Sequence, residues 1–284
     1  MAIPLPRECL MQPSCPKNLR HLVVQPGSKP KLKDIDTRDV DFLGKEDKAR
    51  EQLAEDIVAI DRLQDRLYGE GRRALLVVLQ GTDTSGKDGT IRGVFNATGP
   101  LGVSVTAFKK PSEEELAHDF LWRVHMAAPR RGTIGIFNRS HYEDVLVGRV
   151  RNLAPKEAIE SRYDQINAFE QILAENGTVI LKFMLHISKQ EQGERLQERL
   201  DEKDKNWKFN ASDLDDRKLW GDFQKAYETA LARCSTDVAP WHVVPADRKW
   251  ARNCIIASIV RDTLETMDPQ YPKMPWKASD FTIE

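Results

Sequence analysis

The sequence predicts an α/β protein in which a mostly parallel sheet lies between two layers of helices. Short apolar runs rich in branched residues, typical of strands buried on both faces, recur along the chain. Amphipathic helical patterns separate these runs, and a glycine-rich turn follows the first of them. Strands that alternate with helices pair in parallel through right-handed crossovers, so we expect a three-layer α/β/α sandwich.

Length, charge and cysteine spacing limit the classes to which the chain can belong. The 284 residues fit one generous α/β domain with appendages, and the net charge of −1 gives no sign of bulk attraction to nucleic acid or membranes. There is no long apolar run and no signal-peptide pattern. The cysteines do not have the spacing of metal ligands or of a disulfide framework; they are Cys9, Cys15, Cys234 and Cys254. A reducing cytoplasm is therefore the expected location.

The chain before the first strand divides into an arm and a helix. Residues 1–44 contain several prolines, which indicates an extended arm that wraps the domain or contacts a neighbouring subunit, or else a partly disordered tail. A helix is predicted over 45–69, because apolar residues recur there at three- and four-residue steps and a Gly-Glu-Gly sequence ends the pattern.

The first strand leads into a P-loop motif. The apolar run 74–79 is followed by Gly81, a polar stretch, Gly86 and Lys87, and a helical pattern begins near Thr90. Backbone N–H groups of such a loop form a concave anion site, and the helix N-terminus adds partial positive charge. Lys87 supplies a full charge for phosphate oxygens. The alternative is a tight strand-to-helix turn with solvated acidic side chains.

Two acidic residues depart from the usual P-loop pattern. Asp88 follows Lys87 at the position where a standard loop has Ser or Thr. Asp83 lies inside the loop, where bound phosphates would repel a carboxylate unless a divalent cation lay between them. We therefore expect Asp83 to face Mg²⁺, with a helix-capping or turn role as the alternative.

The second strand is predicted to bring lysines to the ligand-binding edge of the sheet. The run 103–108 leads into Lys109 and Lys110, and a capping box at Ser112 and Glu115 then starts a helix. Open α/β sheets bind ligands at the carboxyl ends of their strands. Lys109 is therefore either a phosphate contact or part of a solvated basic pair.

The third strand, 133–137, is predicted to deliver acids and an arginine to the same edge. Asp144, or Glu143, fits the second acidic residue that holds the metal in P-loop proteins. Arg139 fits a phosphate clamp, because its planar fork matches phosphate oxygens. The alternative is a charged loop whose arginine and acids pair with one another. His141 is expected to be a structural, hydrogen-bonded residue.

The second half of the chain contains a candidate lid. Further helices and strands are predicted, in chain order, at 155–176, 178–187, 212–231, 241–245 and 246–267, with a tail at 268–284. The segment from 188 to about 218 is highly charged, and Arg195 and Arg199 share a helical face in it. This pattern fits a mobile lid, because arginines on such a lid neutralise transition-state charge in phosphoryl transfer. The alternative interpretation of the segment is an exposed helix with Glu–Arg pairs. Trp207 and Trp220 could stack on a base, although large aromatic side chains more often pack.

Taken together, the motifs resemble the polyphosphate kinase 2 family. They are GTDTSGKDGT (81–90), FKKPSEEE (108–115), FLWRVH (120–125), GIFNRSHYEDVLV (135–147), WKFNASDLDDRKLW (207–220) and WHVVPADRKWARN (241–253). The matches keep their order and cover the chain from Glu46 to Met267, which is more specific than a glycine loop alone.

This resemblance implies a thymidylate-kinase-like P-loop fold, with a kinase domain over 45–267 and a helical lid near 188–218. It also implies Mg²⁺-dependent phosphoryl transfer, in either direction, between inorganic polyphosphate and adenine or guanine nucleotides. The implied assembly is a homodimer or homotetramer. The NRSHYED form of the third motif is similar to that of members that accept AMP as well as ADP.

Roles for individual residues also follow from the resemblance. Asp83 and Asp144 would hold Mg²⁺, and Lys87 would contact the transferring phosphate. The arginines expected to bind phosphates of either substrate are Arg139, Arg195 and Arg199. Further phosphate or nucleotide contacts are expected from the loop and its neighbours, namely Gly81, Thr82, Thr84, Ser85, Gly86, Asp88, Gly89, Thr90, Lys109 and Glu143.

Two other functions stay open from the sequence. An ATP-dependent nucleoside monophosphate kinase of similar fold would need a base pocket for its donor and would show no preference for long polyanions. A non-catalytic phosphate- or nucleotide-binding regulator is the other alternative, against which the presence of Asp83, Lys87 and Asp144 weighs. No Ser/His/Asp or Cys/His nucleophilic set is apparent, and in-line phosphoryl transfer does not need one.

Overall fold

The sheet is mostly parallel, as the sequence predicts. The computed structural model describes residues 10–283, without the side chain of Ala278. Within that range the strands are β1 (Ala74–Gln80), β2 (Val103–Ala107), β3 (Ile134–Asn138), β4 (Thr178–His186) and β5 (Trp241–Pro245). They pair in the order β2-β3-β1-β4-β5, and each pairing is parallel. The loop after β1 therefore opens at the middle of the carboxyl edge.

Helices cover both faces of this sheet. In the described chain they are α1 (Glu46–Glu70), α2 (Lys87–Val94), α3 (Glu113–Leu116), α4 (Trp122–Ala127), α5 (Glu143–Val150), α6 (Lys156–Glu175), α7 (Lys189–Asp201), α8 (Ser212–Lys218), α9 (Trp220–Cys234) and α10 (Lys249–Met267). Alternate residues of β1 point to opposite cores. Leu75 and Val77 pack with α1 and α10, whereas Leu76 and Val78 pack with α5, α6 and α9. The predicted three-layer sandwich is confirmed.

Two helices near the carboxyl edge differ from the sequence-based prediction. α2 begins at Lys87 rather than near Thr90, because Gly86 already serves as its N-cap. α5 was not predicted, since the charged residues at its start obscure the apolar spacing of the residues that follow. Val145 and Leu146 of α5 are buried against the sheet, so tertiary packing stabilises a helix that the local sequence pattern does not predict.

The predicted lid segment is helical between β4 and β5. It comprises α7, a 3₁₀ turn at Lys203–Lys208, and α8. Ser188 caps α7, because its hydroxyl accepts a hydrogen bond from the backbone N–H of Glu191 at 3.0 Å. Movement of this segment as a lid stays a prediction.

The described part of the N-terminal arm lies along β5. The backbone N–H of Val24 donates to the carbonyl of Trp241 at 2.8 Å, and the side chains of Leu19 and Leu32 are buried in the two cores. Contact between this arm and a neighbouring subunit stays a prediction. Residues 1–9, with Cys9, lie outside the described residues.

The C-terminal tail contacts the first helix. The hydroxyl of Tyr271 donates to Asp65 at 2.5 Å, and the ring of Tyr271 lies against Gly69. Beyond Tyr271 the described side chains are exposed.

Two sequence-based expectations concern thiols and membranes. Within the described range, the cysteines at 15, 234 and 254 are free thiols. Among the helices of that same range, none has the length and apolar character needed to cross a bilayer.

Candidate active site

The P-loop occupies the centre of the carboxyl edge of the sheet. A Cβ atom at Gly81 would lie 2.5 Å from Oγ of Ser85 and 2.9 Å from the carbonyl oxygen of Leu185, so close packing requires glycine there. Gly86 has a φ of +104°, a conformation that L side chains rarely adopt. The loop closes on itself through a 3.1 Å hydrogen bond from the N–H of Ser85 to the carbonyl of Thr82.

Lys87 is buried within the loop at the predicted position. Its Nζ donates to the carbonyl oxygens of Gly81 at 2.8 Å and Thr82 at 3.2 Å. Burial, together with the positive charge of Arg139, lowers the pKa of Lys87 to about 8. The amine is therefore charged at neutral pH but closer to losing its proton than an exposed lysine.

Several hydroxyl groups of the loop have no hydrogen-bond partner among the described residues. They belong to Thr82, Thr84, Ser85 and Thr90, and each hydroxyl oxygen is buried. An unpartnered buried polar group costs about 1–3 kcal/mol, so a cluster of them needs a physical reason. Phosphate oxygens accept several hydrogen bonds each and would supply the partners.

An ion pair joins the P-loop to the end of β3. Arg139 Nη2 lies 2.5 Å from Asp83 Oδ1, and Arg139 Nη1 lies 3.4 Å from Glu143 Oε2. Glu143 also accepts a hydrogen bond from Gln80 Nε2 at 2.9 Å. The structure thus brings together two of the predicted acids and the predicted arginine clamp.

The backbone of this group is strained at two residues. Thr84 and Arg139 each have a φ of +62°, in the left-handed region that residues with a side chain rarely adopt. Such a conformation costs about 1–3 kcal/mol and persists only where neighbouring contacts fix it. For Arg139 those contacts include its backbone N–H, which donates to the carbonyl of Leu79 at 3.0 Å. Backbone strain is common at functional sites, and of these two residues Arg139 lines the cleft beside the loop.

The other predicted acids face different partners. Asp144 Oδ1 lies 3.5 Å from Arg162 Nη1. Burial raises the pKa of Asp144, and Arg162 opposes that shift. Asp88 is exposed and accepts a hydrogen bond from Asn138 Nδ2 at 2.6 Å. The metal role of Asp144 stays a prediction. In the structure, the basic partner of Asp144 is Arg162, which lies on α6.

A cleft of about 430 Å³, including its open mouth, extends from the P-loop between α5 and α9. It is lined by Gly81, Thr82, Asp83, Arg139, Glu143, Leu146, Val147, Gln192, Asp216, Trp220, Phe223 and Tyr227. Trp220 was a candidate for base stacking from the sequence. Phe223 and Tyr227 were not, because both lie on the apolar stripe of a helix, a position typical of core packing. No sequence signal marked Gln192.

The lid arginines are engaged with protein groups. Arg195 is 6% exposed, and its guanidinium donates to the carbonyl oxygens of Thr84 at 2.9 Å and Ala246 at 2.7 Å. Arg199 lies 3.2 Å from Asp213 on α8. Phosphate contact by these two arginines, and by the exposed Lys109, stays a prediction. For Arg195 such contact would require release of the loop carbonyl.

A buried ionic network supports the segment that carries Arg139 and Glu143. Glu170 accepts hydrogen bonds from Lys182 at 2.6 Å and from the hydroxyl of Tyr142 at 2.9 Å, and its carboxylate lies 3.2 Å from His141 Nε2. All four side chains are almost completely buried. His141 therefore has the structural role expected of it, since it packs beneath the site rather than facing the cleft.

The chemistry of these side chains fits a divalent cation that is shared with substrate. Within residues 10–283 no group of three or more His, Cys, Asp or Glu side chains could hold a metal ion by itself. Mg²⁺ usually takes one or two carboxylates and completes its coordination with water and substrate phosphates. Asp83 beside unpartnered hydroxyls of a phosphate loop matches that pattern, because carboxylate and phosphate oxygens would then be neighbours.

Comparison with known proteins gives a consistent family match. The family model described as polyphosphate kinase 2 matches residues 43–272. The chain is 50% identical over 262 residues to the AMP/ADP-polyphosphate phosphotransferase of Meiothermus ruber, covering 92% of this chain and 98% of that protein. It is 40% identical over 259 residues to the ADP-polyphosphate phosphotransferase of Rhodopseudomonas palustris, covering 87% of this chain and 90% of the relative.

Solved structures show the same similarity in three dimensions. The crystal structure of polyphosphate kinase 2 from Arthrobacter aurescens superimposes with a TM-score of 0.87 at 40% sequence identity, covering 90% of this chain and 93% of that one. The putative polyphosphate kinase 2 from Pseudomonas aeruginosa gives a TM-score of 0.78 at 32% identity, covering 84% of this chain and 50% of that one.

Proposed function

The chain belongs to the polyphosphate kinase 2 family, and on that premise we propose that it transfers phosphoryl groups between inorganic polyphosphate and nucleotides. The acceptors are ADP and AMP, as in the name of the Meiothermus ruber relative, with ATP and ADP as the products. The reaction is reversible and depends on Mg²⁺. An ATP-dependent nucleoside monophosphate kinase is the less favoured alternative, since the named relatives use polyphosphate.

The observation that carries the proposal is the cluster of buried, unpartnered hydroxyls in the P-loop. Thr82, Thr84, Ser85 and Thr90 offer donors where the loop amides and the α2 N-terminus also favour an anion. A regulator that bound phosphate would share these features. The presence of Asp83 and Lys87 beside them supports catalysis, because phosphoryl transfer needs charge neutralisation on both the donor and the transferring group.

Substrate binding would exchange the partners of the Asp83–Arg139 pair. The two side chains neutralise each other, with Arg139 Nη2 2.5 Å from Asp83 Oδ1. A phosphate chain at the loop competes for the guanidinium, whose planar fork matches phosphate oxygens. Asp83 would then be available to hold Mg²⁺, and the cation would supply Lewis-acid stabilisation of the developing charge. This exchange explains why a carboxylate is tolerated inside an anion-binding loop.

Glu143 is our preferred second carboxylate for the cation, with Asp144 as the alternative. Glu143 and Asp83 both contact Arg139 and line the same cleft. Asp144 is instead paired with Arg162. Release of Arg139 by bound phosphate would free both Asp83 and Glu143 together, whereas Asp144 would keep its own partner.

The aromatic end of the cleft is suited to a nucleotide base. Trp220, Phe223 and Tyr227 of α9 face Leu146 and Val147 of α5 across it. Aromatic and aliphatic walls with a few polar groups are typical of ligand pockets. We propose that the acceptor base lies there, which would direct its phosphates toward Lys87 and Arg139.

A donor-exchange assay tests this function. Purified protein is mixed with Mg²⁺ and AMP, and ADP is measured with either long-chain polyphosphate or ATP as the only donor. We expect ADP with polyphosphate and none with Lys87→Ala, because the loop then lacks its charge at the transferring phosphate. Product only with ATP would favour the nucleoside monophosphate kinase, and no product with either donor would favour a binding protein.

A further inference from the structure

A buried arginine outside the cleft lies behind the P-loop. Arg252, on α10, is 3% exposed. Its Nη1 donates to the carbonyl oxygen of Ser85 at 3.4 Å, and its Nε and Nη2 lie 3.2 and 3.0 Å from the side-chain oxygen of Asn253. No carboxylate is among the groups that act on Arg252 in the described chain. A buried charge without an acidic partner is costly, so the presence of Arg252 here needs a physical explanation.

The glycines of the P-loop helix make room for this arginine. Gly86, Gly89 and Gly93 lie three and four residues apart and share one face of α2. A Cβ at Gly86 would lie 1.8 Å from Nη1 of Arg252, and one at Gly89 would lie 3.1 Å from Nη2. A Cβ at Gly93 would lie 2.1 Å from Nδ2 of Asn253. The glycine face therefore lets α10 bring its guanidinium directly against the loop.

Arg252 and Arg195 hold successive carbonyls of the loop from behind. Arg195 Nη1 donates to the carbonyl of Thr84 at 2.9 Å, and Arg252 reaches that of Ser85. The N–H of a trans peptide points opposite to its carbonyl. When the Ser85 carbonyl faces Arg252, the N–H of Gly86 faces the front of the loop, where phosphates would bind.

The two guanidiniums also act on the loop through their charge. Burial and the nearby Arg195 lower the pKa of Arg252 to about 10, so Arg252 remains protonated at neutral pH. Arg195 Nε lies 2.8 Å from Glu191 Oε1, whereas no carboxylate within residues 10–283 pairs with Arg252. In a buried environment the charge of Arg252 is weakly screened and reaches across the thin loop.

We propose that Arg252 is a positioning residue for the P-loop, whose acid-free buried charge and contact with Ser85 strengthen the binding of polyphosphate anions. This inference rests on the proposed function, because it assumes that the loop binds polyphosphate. Arg252 is not among the residues that line the cleft. It acts by orienting the loop backbone and by adding positive potential behind it.

The test compares three variants at this position with a matched control on the same helix. Arg252→Met removes the charge, Arg252→Lys keeps it without the planar fork, and Arg252→Gln keeps a donor without the charge. The control is Arg261→Met, because Arg261 pairs with the buried Asp56 at 2.9 Å and lies away from the loop. Inorganic polyphosphate of defined length is titrated into each folded protein by calorimetry, and kcat and KM are measured for polyphosphate and for AMP.

We expect Arg252→Met to raise Kd and KM for polyphosphate at least about tenfold, while KM for AMP changes little. Arg252→Lys should recover most of the lost affinity, and Arg252→Gln should not. Arg261→Met should lower thermal stability and leave polyphosphate affinity unchanged. Should Arg252→Met fail to fold, the comparison of Arg252→Gln with Arg252→Lys decides the same question.

Two results would overturn the inference. One is a folded Arg252→Met or Arg252→Gln protein that binds polyphosphate as tightly as wild type. The other is an Arg252→Lys protein as weak as the uncharged variants, which would leave packing as the only role. A wild-type protein that neither binds nor uses polyphosphate would instead contradict the proposed function, so the two failures are distinguishable.

Discussion

Nη2 of Arg139 lies 2.5 Å from Oδ1 of Asp83, and this ion pair joins two strand ends that are distant in the sequence. Arg139 follows β3, Asp83 follows β1, and these strands are neighbours in the sheet. Both side chains are only partly exposed, so their attraction is screened less than that of a surface pair. The pair keeps Asp83, the proposed cation ligand, and Arg139, the proposed phosphate clamp, beside the same loop.

Asp83→Asn tests the exchange of partners. The amide cannot balance the charge of the cation, and Arg139 keeps only its longer contact, 3.4 Å from Nη1 to Glu143 Oε2. We expect kcat to fall by about 100-fold or more and the Mg²⁺ concentration for half-maximal rate to rise. Rates are measured across a Mg²⁺ titration, with circular dichroism to confirm folding. An unchanged Mg²⁺ dependence would mean that Asp83 does not face the metal.

A comparison of Glu143→Gln with Asp144→Asn assigns the second acid. Glu143 lines the cleft and contacts Arg139, whereas Asp144 lies 3.5 Å from Arg162. We expect Glu143→Gln to reduce kcat more than Asp144→Asn and to weaken the response to Mg²⁺. The reverse order in the same Mg²⁺ titration would support Asp144 as the metal ligand.

Lys87 gives the enzyme a specific pH dependence. Burial lowers its pKa from 10.5 to about 8. If the charged amine binds phosphate as proposed, kcat/KM for polyphosphate should fall as pH rises through about 8 in the free enzyme. Lys87→Arg is the control, because its guanidinium stays charged and its profile should be flat over this range.

Unfolding does not account for that loss of activity. Between pH 8 and 10.5 the unfolded lysine binds more protons than the folded one, so this group alone makes the free energy of unfolding rise with pH. A profile for wild type that stays level through this range, or the same decline in Lys87→Arg, would show that another group titrates.

Glu170→Gln tests the buried network beneath the site. Burial alone would raise the pKa of Glu170, but Lys182 and His141 outweigh it and the pKa lies below its usual value. The substitution leaves Lys182 buried without an anion, and we expect a loss of about 3–5 kcal/mol in the free energy of unfolding by urea. Glu160→Gln is the control: its pairs with Arg149 and Arg233 are partly exposed, with side chains 34–39% accessible, so a loss of about 1 kcal/mol or less is expected. Equal losses in both variants would contradict this account.

Much of the fold was predictable because the signals are local and strong. The apolar run of β1 and the glycines at 81 and 86 define the central strand and the loop without reference to other segments. Parallel pairing follows from the alternation of strands with helices, and the carboxyl edge then collects Asp83, Arg139 and Glu143. α5 escaped prediction because its helical state depends on burial of Val145 and Leu146 against the sheet.

The parts of the site that the sequence did not reveal depend on tertiary packing. Tyr227 and Phe223 occupy the apolar stripe of α9, and only the position of that helix turns one end of the stripe toward the cleft. Arg195 was predicted to lie on a mobile lid, because helical spacing shows which residues share a face but not how deeply that face is buried. Arg252 was passed over for the same reason, since no local pattern marks an arginine that will lie under a glycine face.

The central claim is tested most directly by following phosphorus atoms from polyphosphate to ADP. Wild-type protein is incubated with Mg²⁺, ADP and long-chain polyphosphate, and ³¹P NMR records internal chain phosphates, ATP and AMP together. We predict that ATP appears as chain phosphate disappears, without a matching amount of AMP, and that Lys87→Ala forms none. ATP accompanied by equal AMP would show transfer between two ADP molecules, and that result, or no ATP at all, would contradict the account.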